Sequence, residues 1–406
     1  MSAESYGFST DRLARIETLL REKYVETGRL PGAQFRLALR GEPVWETVVG
    51  LADVDRARPL MPDAIFRLYS MTKPVTSVAL MQLVEAGKVG LDDPVETYIP
   101  AFARLRVLGG DGIDGAGEAP ARPMQVIDLL RHTSGLTYGF QERTPVDAAY
   151  RRQNLEHFHA ARDLAGFIDS LAGLPLDFSP GEAWTYSVST DVCGWIVETV
   201  TGQPLSQTFR ERIFDPLGMA DTGFQVREGQ AARLTACYEA TPAGGMALQD
   251  DPATSPFLKP PAMLSGGGGL VSTASDYMRF ARMLLNGGEL DGARMLRQDT
   301  VRLMTLNQLP GGAEIASIAR GNFSESRTPG VGFGLGFAVV TDPARTGIDR
   351  SAGEYFWGGM ASTAFWIDPV EEITAVFMTQ LIPSSAWPIR AELRTLTYAA
   401  LTERRG

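Results

Sequence analysis

Lysine is scarce in this chain: of 38 basic residues only Lys23, Lys73, Lys88 and Lys259 are lysines, the other 34 being arginines. Acidic residues number 48, and the formal net charge is −10. A phosphate-backbone binder needs a basic face, so nucleic acid is excluded as an expected partner. Cysteine is limited to Cys193 and Cys237, without a CxxC spacing. They read as free thiols in a reducing compartment, not as a disulfide framework. Histidine occurs three times, at His132, His157 and His159. The last two are two positions apart and would leave different faces of a helix, a poor metal pair. No metal and no cofactor is expected. No stretch approaches 18 uninterrupted apolar residues, so no membrane span is expected. The N-terminal "MSAESYGFSTDRL" has neither a basic n-region nor an apolar h-region, which makes a cytoplasmic location the expectation. A G-x-S-x-G nucleophile elbow is also missing, which excludes the usual α/β-hydrolase esterase. The run "GGGGL" at 266–270 lacks the following Lys-Ser/Thr of a phosphate loop.

What is present is ordinary for a globular protein: 44% hydrophobic and 21% charged residues over 406 positions. That length exceeds one simple core and implies two lobes or one elaborated domain. Thr10 is placed to cap a helix with Leu13, Ile16, Leu19, Leu20 and Tyr24 on one face. A hairpin is expected around Arg40-Gly41-Glu42, then an apolar helix over 70–87 stopping at Gly87. Residues 90–265 read as helical patches between Pro/Gly-rich loops, and another helix is expected near 273–286. The runs "FGLGFAVV", "STAFWIDP" and "ITAVFMTQ" read as strands, the last two joined through Val370-Glu371-Glu372 as antiparallel neighbours. A helix from Ser385 closes the chain. Strands at both ends with helices between predict an α+β fold. Residues 1–90 and 266–406 would carry a central antiparallel sheet flanked by helices, and 91–265 an inserted, mostly helical lobe. The active site would lie in the cleft between them.

Three stretches carry candidate chemistry. In "FRLYSMTKPV" (66–75), Ser70 and Lys73 are three apart and share a helix face. A serine hydroxyl needs an adjacent base, and lysine serves once burial lowers its pKa. Pro74 is tolerated in a first helical turn, whose N–H groups lack partners anyway. Ser70 at the helix N-terminus would meet N–H groups able to bind an oxyanion. With 22 serines and four lysines, chance supplies about 0.2 such tetrads, so the surrounding chain must decide. In "SPGEAWTYSVSTDVCGW", Tyr186 precedes an apolar helical run, and a phenol beside an ammonium can take a serine proton. In "GEYFWGGMASTAFWIDP", Gly358 and Gly359 open a strand where backbone can approach a ligand closely. His132, in "RHTSGL", reads as a residue that fixes a loop.

Taken in order, these motifs resemble the serine β-lactamase and penicillin-binding-protein superfamily, and within it the class C-like branch with the family VIII carboxylesterases. "LLRHTSGL" at 129–136, "FSPGEAWTYSV" at 178–188, "RIFDPLGMADTGF" at 212–224, "GGGGLVSTASDYMRFARMLLNGG" at 266–288 and "VGFGLGFAVV" at 331–340 extend the similarity over nearly the whole chain. The resemblance implies a β-lactamase/transpeptidase-like fold, with Ser70 the acylated nucleophile, Lys73 its activator and Tyr186 a phenolate-type base. It sets Trp357-Gly358-Gly359 on the family's Lys-Thr-Gly motif, and makes the backbone N–H groups of Ser70 and Met360 the oxyanion hole.

Two departures bear on substrate. The branch that cleaves β-lactams well carries Asn where this chain has Val188, and Lys where it has Trp357. Losing an amide and a cation disfavours an anionic β-lactam or peptide carboxylate, but not an uncharged ester. Both changes are usual among family VIII esterases. The expected function is therefore hydrolysis of short-chain carboxylic esters with a weak β-lactamase side activity; the alternatives are a β-lactamase or D-amino-acid peptidase, or an acyltransferase that passes the acyl group to an alcohol, on the same scaffold. Tyr138 and Phe140, after the "HTSGL" loop, are expected to flank the cleft, and a small-molecule ester is the expected partner.

Overall fold

The computed structural model describes residues 3–156, 161–321 and 328–405. Its fifteen described strands are β1 Gly32–Leu39, β2 Glu42–Asp53, β3 Arg58–Pro59, β4 Phe66–Arg67, β5 Cys237–Ala240, β6 Met246–Asp250 and β7 Val271–Ser272, followed by β8 Glu289–Leu290, β9 Ala293–Arg294, β10 Val331–Phe333, β11 Ala338–Val340, β12 Tyr355–Gly358, β13 Ala364–Asp368, β14 Ile373–Met378 and β15 Leu381–Ile382.

The principal sheet has the order β10-β11-β12-β13-β14-β1-β2-β3 and is antiparallel throughout. The two ends of the chain meet at its centre, where β1 pairs with β14 from Gln34↔Met378 to Leu39↔Ile373. Every residue of β13 and β14 is buried, which is why "AFWID" and "ITAVFM" read as continuous apolar runs without alternation. The helix Ala274–Leu285 packs on β14, β1 and β13, while Thr10–Thr18 and Ile389–Ala399 pack against each other. Arg40 and Gly41 both have positive φ, 53° and 78°, the type I′ geometry that a two-residue hairpin favours. Thr10 is the first residue of the N-terminal helix and not its cap as expected; the cap is Ser9, whose Oγ accepts the Arg12 N–H at 3.4 Å.

The helix Thr72–Glu85 is buried at eleven of its positions, Lys73 included. That burial matches a sequence apolar on nearly all sides. Gly87, at φ +66°, follows its C-terminus. The helix Thr72–Glu85 packs on the helix Ser189–Thr201. The stretch read as helical also contains strands: β5 and β6 form a hairpin, and β5 pairs in parallel with β15 near the C-terminus. At four and five residues these strands are too short for an alternating pattern to stand out. Both cysteines are free and buried. Among the described residues no helix is long and apolar enough to cross a membrane.

Candidate active site

Ser70 occupies a 3-10 turn, Tyr69–Met71, immediately before the helix Thr72–Glu85. Tyr69 is left-handed at φ +46°, a conformation that persists in a non-glycine residue only when its surroundings impose it. Its ring is buried in a cluster with Cys237 and Ala361, edge-on to Phe257 at 6.3 Å. The turn buries Tyr69 and Met71 and leaves Ser70 half-buried between them.

Lys73 follows one helical turn later, and its Nζ is 3.2 Å from Ser70 Oγ. It donates to Tyr138 Oη at 3.0 Å and to the Gly267 carbonyl at 2.7 Å. Only 2% of Lys73 is exposed. Burial pushes its pKa from 10.5 down to about 7, against the opposing pull of Asp191 and Glu156. A neutral amine has two N–H groups and one lone pair. The three partners suit both forms: the ammonium donates to all of them, and the neutral amine donates to Tyr138 and Gly267 and can accept from the Ser70 hydroxyl.

Tyr186 approaches from the loop before the helix Ser189–Thr201, and Val188 is that helix's N-cap. The Tyr186 ring is 3% exposed, with Lys73 Nζ 4.6 Å from its centroid. Around it stand His132 at 5.0 Å, Tyr138 at 5.3 Å and Trp357 at 5.4 Å between ring centroids. The Trp357 indole N–H donates to Tyr186 Oη at 3.4 Å, and Gln141 Nε2 donates to the Tyr186 carbonyl at 3.3 Å. Phe140 stacks on Tyr138 at 4.9 Å and is 51% exposed.

Trp357 and Gly358 end β12. A Cβ on Gly359 would lie 2.2 Å from the Leu68 carbonyl oxygen. The strand end therefore meets the Ser70 turn so closely that only glycine fits. Gly358 is less tightly constrained: a Cβ there would meet the Arg390 guanidinium at 2.5 Å, the end of a side chain that can move. Arg390 is engaged with backbone, donating to the carbonyls of Gly359 and Thr363 at 2.8 Å each. Met360 follows with its side chain 46% exposed.

Ser70, Lys73, Tyr186, Tyr138, Trp357 and Gly359 thus come together, and Phe140 lies on the same aromatic stack. Val188 is 1% exposed, its side chain within the hydrophobic core. Trp357 is buried too, at 3%, so the position read as a lost substrate anchor is a hydrogen-bond donor to Tyr186. His132 fixes its loop as expected: Nδ1 is 3.1 Å from Ser187 Oγ. Burial and Lys73 hold its pKa well below the ordinary value, so it stays neutral. His157 and His159 lie outside the described residues.

Two carboxylates with no mark in the sequence also support the site. Asp191 accepts from Ser265 Oγ at 2.6 Å and from the Gly267 N–H at 3.0 Å. It thereby holds the loop whose carbonyl receives Lys73. Glu156 accepts the Gly139 N–H and so braces the turn that carries Tyr138 and Phe140. Burial pushes its carboxyl up to about 7. Neither carboxylate had a local sequence signal, since each acts on a segment remote from its own.

The family model described as "Beta-lactamase" matches residues 19–399. The chain belongs to the beta-lactamase family. Esterase EstB of Burkholderia gladioli is 32% identical to this family member over 98% of the chain and 99% of EstB. Protein Rv1367c of Mycobacterium tuberculosis (strain ATCC 25618 / H37Rv) is 37% identical over 88% of each chain. Among solved structures, EstCE1, described as a hydrolase with promiscuous acyltransferase activity, superposes with a TM-score of 0.80 at 27% identity, covering 97% of this chain and 99% of its own. These likenesses fit a family VIII esterase within the serine β-lactamase and penicillin-binding-protein superfamily.

Proposed function

We propose that this beta-lactamase-family chain is a serine carboxylesterase that hydrolyses short-chain carboxylic esters through an acyl-enzyme on Ser70. The observation that carries the reading is the buried Lys73 amine 3.2 Å from Ser70 Oγ, with the Tyr186 ring against it. Ser70 Oγ attacks the ester carbonyl and its proton passes to the Lys73–Tyr186 pair. The N–H groups of Ser70 and Met360 receive the oxyanion, an interaction whose loss costs about 3–4 kcal/mol per donor. Tyr186 Oη returns the proton to the leaving alcohol, and the pair then activates water to release the acid. Ser70, Lys73 and Met360 come from the sheet-bearing segments 1–90 and 266–406, Tyr138 and Tyr186 from the insert 91–265. The cleft between these units is the proposed site.

An uncharged ester suits this cleft. Trp357 supplies an indole where a carboxylate-binding cation would stand, Arg390 is committed to backbone carbonyls, and Phe140 and Met360 offer exposed apolar surface to an acyl chain. Transfer of the acyl group to an alcohol is the second reading, favoured by the likeness to EstCE1. It needs only a different nucleophile at the same acyl-enzyme.

Intact-protein mass spectrometry with p-nitrophenyl acetate and butyrate, beside a chromogenic β-lactam, tests the reading. Ester should add one acyl mass, mapped to the peptide containing Ser70, and added alcohol should yield a new ester if transfer competes. Alcohol release with the adduct on another residue would sink the proposal.

A pH profile gives a second check. With Lys73 at about 7, kcat/KM should rise about tenfold per pH unit below neutrality and level off above about 8. Glu156 and Asp191 favour the ammonium, whereas burial opposes it. Glu156→Gln should therefore move the acidic limb to lower pH. A limb near 10, or an upward move in that variant, would contradict the assignment.

A further inference from the structure

An oxyanion hole assembled from Ser70 and Met360 must hold two remote turns at one separation. Both turns contain a non-glycine residue in left-handed geometry: Tyr69 at φ +46° in the first and Ser362 at φ +69° in the second. Neither conformation is self-supporting.

Three consecutive residues, Gln380, Leu381 and Ile382, touch both turns. The Gln380 side chain acts as a one-residue partner strand for Arg67, three positions before the nucleophile. Its Oε1 accepts the Arg67 backbone N–H at 3.1 Å and Arg67 Nη1 at 3.3 Å. Its Nε2 donates to the Arg67 carbonyl at 3.1 Å and to the Thr379 carbonyl at 2.7 Å. Both lone pairs and both N–H groups of the amide are in use, and Gln380 is 1% exposed. Leu381 grips the second turn: its N–H donates to the Ala361 carbonyl at 3.1 Å, and its carbonyl accepts Ser362 Oγ–H at 2.6 Å. Ile382 packs on the cluster of Tyr69, Cys237 and Ala361, which contains a residue from each turn. Arg67 is itself immobilised, fully buried and bonded to Asp250, the Thr235 carbonyl and Ser255.

We propose that Gln380 is a positioning residue which, through the segment 380–382, sets the separation between the Ser70 and Met360 N–H donors. It touches no reacting atom. The proposal rests on the reading of those two groups as the oxyanion hole, so the test must separate the two.

Thiono esters do so, because sulfur is larger and a weaker hydrogen-bond acceptor than oxygen. A hole spaced for oxygen favours the oxo ester. Wild type, Gln380→Met and Ser362→Ala are compared on p-nitrophenyl butyrate and its thiono analogue, with KM and kcat resolved. The wild type is expected to favour the oxo ester. Gln380→Met should lose about 10–100-fold in kcat with KM within about twofold, and its oxo-to-thiono ratio should fall about tenfold. Ser362→Ala loosens the other turn and should move both quantities the same way, which decides the matter if Gln380→Met fails to fold. A wild type without oxo preference overturns the oxyanion-hole reading and this proposal with it. A preference that survives intact in the folded variants, or losses confined to KM, overturns the role of Gln380 alone.

Discussion

Ser70→Ala should lower kcat/KM for p-nitrophenyl butyrate by at least about 10⁴-fold and abolish the covalent acyl adduct. In the proposed mechanism Lys73 and Tyr186 only move the proton of the Ser70 hydroxyl and carry no acyl group themselves. What survives would be the modest rate due to binding and the backbone donors. The fold should barely notice. Ser70 is half-buried at the end of a turn, and Lys73 keeps its bonds to Tyr138 and Gly267. Unfolding free energy is therefore expected to change by less than about 1 kcal/mol. Denaturant melts alongside burst kinetics would check both halves. Near-native turnover in the folded variant would rule out Ser70 as the nucleophile.

Lys73→Met should cost about 10³-fold in kcat, because the Ser70 proton loses the acceptor 3.2 Å away. Its second effect concerns stability. The folded protein releases the Lys73 proton at about 7, whereas an ordinary lysine holds it to 10.5. Between those values the unfolded chain binds the extra proton, so wild-type stability rises with pH through that window. Below about 7 both states are protonated and the burial cost is fully present. Methionine has a similar linear shape and no proton to lose. Wild type should thus gain on Lys73→Met by about 1.4 kcal/mol per pH unit, or about 2 kcal/mol between pH 7.5 and 9. Urea titrations of both proteins at those two pH values would measure it. Parallel stability profiles would show that Lys73 carries its proton in the fold as it does in water.

The legibility of the site followed the range of its contacts. Ser70 and Lys73 could be paired from the sequence because helical spacing brings i and i+3 to one face, and the 3.2 Å contact holds although Ser70 sits in the 3-10 turn that leads into the α-helix. The principal sheet was legible for a related reason: β13 and β14 are buried on both faces, so continuous apolar runs marked them. The β5–β6 hairpin was not, being short and paired with β15 far along the chain.

Residues acting across long separations left no local pattern. Tyr138 was expected only beside the cleft, yet its hydroxyl is a direct partner of Lys73, 65 positions away. Trp357 drew notice for the cation it replaces, whereas its indole N–H bonds Tyr186 Oη inside the core. A lysine at that position would bury an ammonium among the aromatic rings around Tyr186 and lose the indole donor, so Trp357 is more than a switch of substrate preference.

By itself, then, the sequence singled out Ser70, Lys73 and Tyr186 as the proposed catalytic set and carried the order of motifs that marks the family. These depend on residue type and on helix periodicity, both of which are written locally. Only the tertiary structure decided how deeply Lys73 is buried, and hence that its proton leaves near pH 7. It alone showed which remote groups hold the turns around Ser70 and Met360. Desolvation and turn spacing are properties of packed surroundings, and no stretch of chain carries them alone.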